Sequence, residues 1–108
     1  MRAAAVQLTL DQQRFIQEHM PHICERGGWT LRISAAVADH VHVLLDAAPA
    51  IHGEKVRRLV KRWLTQLLNQ HWPTPAGGRW WAEQGSNRAV DTETYLNRAY
   101  EYIERQRA

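Results

Sequence analysis

Two histidines one residue apart, His40 and His42, lie in the run Asp39-His40-Val41-His42-Val43-Leu44-Leu45, which otherwise reads as a β-strand. Successive strand side chains point to opposite faces, so the two imidazoles share one side while Val41, Val43 and Leu45 take the other. Neutral imidazole is a common metal ligand, and a strand holds two of them at a set spacing, so the pair suits half of a metal site. The same pattern suits two partly exposed polar residues on a half-buried strand. The choice depends on what joins them.

The C-terminal stretch supplies a candidate. Tyr95 to Gln106 reads as a helix, and at ~100° per residue Tyr102 and Gln106 fall within about 40° of each other, one turn apart. Tyr100 is turned roughly 120° away from Gln106, and Tyr95 is about 16 Å down the axis. Only Tyr102 can act beside Gln106. A phenol hydroxyl one turn from a carboxamide oxygen combines a nucleophile with a third metal ligand, on the condition that this helix packs across the sheet face bearing the histidines.

The elements that must position these groups follow from periodicity. Ala4 to Leu8 makes at most a short strand. Thr9 starts a helix, with Gln12 completing a capping-box pattern and Phe15, Ile16, Met20 and Ile23 forming an apolar stripe. Pro21 is expected to kink or interrupt that helix, and Gly27-Gly28 to end it. Trp29, Leu31, Ile33, Ala35 and Val37 then alternate on one face of a half-buried strand. Ala38-Asp39 is the tight connection into the His40 strand, giving an antiparallel hairpin with the histidines near its turn; Asp39 shapes that turn.

A second helix begins near Gly53 or Glu54, with Val56, Leu59, Val60, Trp63, Leu64, Leu67 and Leu68 as an unbroken stripe that leaves its basic residues to solvent. Those are Lys55, Arg57, Arg58, Lys61 and Arg62, with Glu54 the one acid nearby. They read either as a solvated face or as a phosphate-binding one. Trp72 to Gly78 is a loop, and Arg79 to Val90 an irregular strand with Gly85 at a bulge or close approach. Asp91 caps a last helix from about Thr92. Trp80 and Trp81 alternate faces if extended, one in the core and the other a stacking surface.

Bulk properties bound the reading. The 108 residues and 44% apolar content suit one domain, 1–108, with one modest core. No run approaches membrane-spanning length, and Met1 to Val6 is too short for a secretory signal, so the expected location is the cytoplasm with no membrane partner. Cys24 is the single cysteine, which excludes an intrachain disulfide and a cysteine-based zinc site. A net charge of +3 and a pI near 9.5 suggest an anionic partner.

The order of these features resembles a known family. Hairpin strand, D-H-V-H-V-L-L, basic amphipathic helix, W-W-x-E-x-G-S-x-R-x-V and terminal Y-I-E-R-Q are similar to the HUH single-tyrosine transposases of insertion sequences, including the REP-associated tyrosine transposases. The likeness covers roughly Thr9 to Gln106, and its specificity lies in the conjunction of His-hydrophobe-His with a distant Tyr-x-x-x-Gln. The resemblance implies an α+β, ferredoxin-like antiparallel sheet with helices packed on one face and a C-terminal tyrosine-bearing helix. It implies that His40, His42 and Gln106 hold one Mg²⁺ or Mn²⁺, with zinc able to bind in vitro, and that Tyr102 attacks single-stranded DNA to form a 5′-phosphotyrosine.

The implied partner is single-stranded or hairpin DNA. Lys55, Arg57, Arg58, Lys61 and Arg62 are the expected phosphate contacts, and Asn87 and Arg88 the expected contacts near the active site. Family members usually begin with a strand that completes the sheet; here the first strand is short or missing, which leaves an edge that needs a partner and points to a homodimer. The competing reading is a domesticated hairpin-binding protein without cleavage activity.

Overall fold

Thr9 opens the first helix, α1 (Leu10–Gly27), with the expected capping box: its hydroxyl accepts from the Gln12 N–H at 3.1 Å, and Gln12 Oε1 accepts from the Thr9 N–H at 2.9 Å. In this computed structural model the described residues are 7–47, 53–75, 80–81 and 93–107. The helix ends at Gly28, whose φ of 77° is left-handed. There the Gly28 N–H donates to the Glu25 carbonyl at 3.1 Å and the Trp29 N–H to the Cys24 carbonyl at 2.8 Å, a Schellman pair. Pro21 lies inside α1 without interrupting it. It is exposed, so the missing backbone donor lies on the solvent side and leaves no buried orphan there.

Strands β1 (Thr30–Ala36) and β2 (Val41–Asp46) form the expected antiparallel hairpin through Ala38-Asp39, closed by the Val37 N–H donating to the His40 carbonyl at 2.9 Å. The register contains a bulge that the alternation did not foretell. Pairing passes from Leu31 with Leu45 to Ile33 with Leu44, leaving Arg32 as the extra residue. Its guanidinium meets Asp46 across the hairpin, with Nε donating to Oδ1 at 3.0 Å and to Oδ2 at 2.9 Å.

The bulge switches faces. Leu31 packs with Trp29 in one cluster, whereas Ile33 and Ala35 belong to another, so these residues do not line one face as predicted. Nor is β1 half-buried throughout, because Ile33, Ser34, Ala35 and Ala36 are all buried. A helix covers each side of the hairpin, which removes the solvent face that a two-period pattern assumes.

On one side lies the larger core. Ile16, Met20, Ile23 and Cys24 of α1 and Val56, Val60, Leu64 and Leu68 of α2 (Gly53–His71) meet there, with Val41, Val43 and Leu45 against them. Trp63 stacks on Trp29 with centroids 5.7 Å apart, and the Arg26 guanidinium covers the Trp63 ring at 4.4 Å. Trp80 and Trp81 both join this core, their indole N–H groups donating at 2.8 Å to Asn69 Oδ1 and Thr65 Oγ1 respectively. Trp80 is thus the expected core residue; Trp81 is half-buried.

On the other side α3 (Glu93–Gln106) crosses the hairpin, where Ile103 joins Ile33, Ala35 and Leu44, flanked by Leu96 and Ala99. The architecture is α+β: a two-stranded antiparallel sheet among the described residues, two helices over one face and the C-terminal helix over the other. Residues 1–6, most of the strand expected over 79–90 and the Asp91 cap lie outside the described residues. Part of the outer edge of β1 is already covered, since the Ala36 N–H donates to Gln17 Oε1 at 2.9 Å. Among the described residues no helix is long and apolar enough to cross a membrane.

Candidate active site

His40 ends the hairpin turn and His42 follows one residue into β2, on the face covered by α3. The register decides this: His42 lies opposite Ala35 and Leu44 opposite Ile33, and those three apolar residues pack with Ile103. Val41, Val43 and Leu45 face the other core, as the alternation predicts. The two imidazoles are adjacent, with centroids 4.3 Å apart and planes at 82°.

Burial of Ile103 brings Tyr102 over the same face. The Tyr102 ring stands edge-on to His42, with centroids 5.5 Å apart and planes at 89°. The condition set by the sequence, that the last helix cross the histidine-bearing face, is met within one chain. Tyr102 is 54% exposed and Tyr100 39%, and among the described ring pairs Tyr102 is the tyrosine in contact with His42. Gln106 is half-buried in the final turn of α3, one turn beyond Tyr102.

The electrostatics of the two histidines differ. His40 Nδ1 is 2.6 Å from Asp39 Oδ1, a short hydrogen bond at an exposed position. From the sequence Asp39 reads as a turn residue at a position where the resembled family often carries a polar side chain; the signal that ties it to the site is its adjacency to the first histidine. His42 is held below the ordinary imidazole pKa of 6.5, first by burial and then by nearby His40, with Asp39 opposing. Its Nε2 is buried and has no hydrogen-bond partner. A neutral ring with an orphaned buried nitrogen is the state a metal ligand requires.

These features fit a divalent cation. Among the described residues no group of three His, Cys, Asp or Glu side chains is arranged to hold a metal; the third ligand expected from the sequence is the Gln106 carboxamide.

The basic residues of α2 divide. Lys55, Arg58 and Arg62 are exposed and, with Leu59, line an open concavity of about 320 Å³. Arg57 and Lys61 are half-buried, which corrects the expectation that all five face solvent. The Arg57 Nε is buried without a hydrogen-bond partner, and burial followed by the neighbouring Arg57 charge pushes the Lys61 pKa down. Positions 57 and 61 sit beside the Val60–Leu64–Leu68 stripe, so their stems are drawn into the core margin. Asn87 and Arg88 lie outside the described residues.

The hairpin thus bears paired histidines and is crossed by a helix that carries a tyrosine to them. The family model described as "Transposase IS200 like" matches residues 3–106, and the chain belongs to that family. Its general function is that of a transposase. No curated protein and no solved structure matches the chain.

Proposed function

We propose that the chain cleaves and rejoins single-stranded DNA through a 5′-phosphotyrosine on Tyr102, with His40, His42 and Gln106 holding one Mg²⁺ or Mn²⁺. The observation that carries this reading is the Tyr102 ring set against His42, whose Nε2 is buried and unpartnered. All three proposed ligands are neutral, so a bound cation keeps its full charge; Mn²⁺ suits imidazole better than Mg²⁺ does. When bound, the cation supplies Lewis-acid stabilisation of the non-bridging phosphate oxygens.

The chain's own part is nucleophilic. The Tyr102 oxygen forms a bond to phosphorus as its proton leaves, and the bond from phosphorus to the 3′-oxygen breaks. That oxygen takes up a proton to become a free 3′-hydroxyl. Rejoining reverses the step: a 3′-hydroxyl attacks the phosphotyrosine and restores the phenol. The exposure of Tyr102 supports access for a DNA strand, and the exposed Lys55, Arg58 and Arg62 of α2 offer phosphate contacts elsewhere along a DNA hairpin. The proposed assembly is a homodimer in which each chain uses its own tyrosine helix.

The test is incubation with labelled single-stranded DNA hairpins and Mn²⁺. A covalent adduct that Tyr102→Phe abolishes supports the reading. An adduct formed equally well by Tyr102→Phe overturns it, and hairpin binding without any adduct favours the domesticated binding protein.

A further inference from the structure

We infer that Asp39 is a positioning residue for His40: its carboxylate holds the imidazole proton on Nδ1 and so turns the Nε2 lone pair of that ring outward as the ligand nitrogen. The inference rests on the metal reading proposed above and adds a residue to it.

The geometry carries the argument. Asp39 Oδ1 and His40 Nδ1 are 2.6 Å apart, a short charge-assisted contact. An ionised carboxylate has no proton to give, so Nδ1 must be the donor. A neutral imidazole carries one proton; with Nδ1 holding it, Nε2 is left as the only lone-pair nitrogen of His40. An imidazole free in water prefers the opposite tautomer, in which Nε2 carries the proton and offers nothing to a cation.

The second reason is orientation. The side chains of His40 and Asp39 are 50% and 57% exposed, so packing, chiefly against His42, covers only about half of this ring. His42 differs, being half-buried, with its ring braced by Tyr102 at 5.5 Å. His40 is tied instead at two points on the turn: its carbonyl accepts from the Val37 N–H at 2.9 Å, and its ring donates to Asp39. With the ring so held, the centroids of His40 and His42 stay 4.3 Å apart at 82°. Asp39 thus adds for the more exposed imidazole what tertiary packing supplies for the half-buried one. A carboxylate behind a ligating histidine is a recurrent way of fixing tautomer and direction.

The test uses the full chain with ¹⁵N-labelled histidine. Metal-free protein is read by the ring ¹⁵N chemical shifts of His40, and Mn²⁺ affinity is measured separately from the free-ion electron paramagnetic resonance signal. Wild type is expected to show the Nδ1–H tautomer. Asp39→Ala is expected to move His40 toward Nε2–H and to weaken Mn²⁺ binding by about 10- to 100-fold. Asp39→Asn keeps an acceptor oxygen without the charge, so it is expected to retain the Nδ1–H tautomer and lose less affinity.

If Asp39→Ala leaves both the tautomer and the Mn²⁺ affinity unchanged, the assignment of Asp39 is overturned. If wild type shows the Nδ1–H tautomer, loses it in Asp39→Ala, yet binds no Mn²⁺, Asp39 does orient His40 and the metal reading is what fails. Asp39 is exposed in a two-residue turn, and far-ultraviolet circular dichroism of each variant separates loss of the fold from loss of the hydrogen bond.

Discussion

The Tyr102 ring meets His42 edge-on at 5.5 Å because its neighbour Ile103 is buried between Ile33, Ala35 and Leu44. The proposed nucleophile and the anchoring residue therefore fall next to each other on α3, and substitution should separate their effects. Tyr102→Phe keeps the ring and loses only an exposed hydroxyl, so its stability is expected to stay within about 0.5 kcal/mol of wild type while adduct formation disappears. Ile103→Ala is expected to cost about 2–5 kcal/mol and to reduce adduct formation by loosening the helix. Urea denaturation beside the hairpin cleavage assay checks both.

The same contact is made within one chain, which sets the outcome of mixing inactive variants. A preparation in which Tyr102→Phe and His42→Ala chains are unfolded and refolded together is expected to show no recovered cleavage, because each chain lacks one half of its own site. Recovery to a sizeable fraction of wild-type activity would mean that the helix acts on a partner's histidines.

Acid should destabilise the protein through His42. Its folded pKa lies below 6.5, first because it is buried and then because His40 is near, so the unfolded chain binds the proton more readily. The stabilising contribution is full above the ordinary value and is lost as pH falls through the lowered one. The urea midpoint is expected to fall on going from about pH 8 to about pH 5, with a shallower dependence in His42→Gln. An identical pH profile in that variant would rule His42 out as the source.

At the end of α1, two adjacent glycines serve different needs. A Cβ on Gly27 would lie 2.6 Å from the Trp29 indole, which is itself backed by Trp63; Gly28 has open space but a φ of 77°. Gly28→Ala is expected to cost about 1–2 kcal/mol for the left-handed conformation. Gly27→Ala should cost about 1–3 kcal/mol through overpacking and should perturb tryptophan fluorescence, which Gly28→Ala leaves near wild type.

On α2 the exposed and half-buried cations should also part. Arg58→Ala and Arg62→Ala are each expected to weaken hairpin binding and to reduce the salt dependence by about one unit of slope, with no change in folding. Arg57→Ala, at the core margin, should instead lower thermal stability. Fluorescence anisotropy at several salt concentrations and thermal melts distinguish the two effects.

Devices that operate within a few residues were legible in the sequence. The Thr9–Gln12 capping box, the Gly28 terminus, the Ala38-Asp39 turn and the α2 stripe from Val56 to Leu68 all formed as their spacing required. So did the shared face of His40 and His42, since neighbouring strand positions alternate by backbone geometry alone. What depended on tertiary structure was how each face is covered. The bulge at Arg32 lets Leu31 face α1 and α2 while Ile33 faces α3, and no local pattern distinguishes that from unbroken alternation. Burial of β1 on both sides, the inward lean of Arg57 and Lys61 and the short contact from Asp39 to His40 have the same origin: each is settled by the final packing and turn geometry rather than by residue spacing. Residue order supplied the histidines and the tyrosine, and the docking of Ile103 brought them together, because burial of apolar area between distant segments is what closes the distance between them.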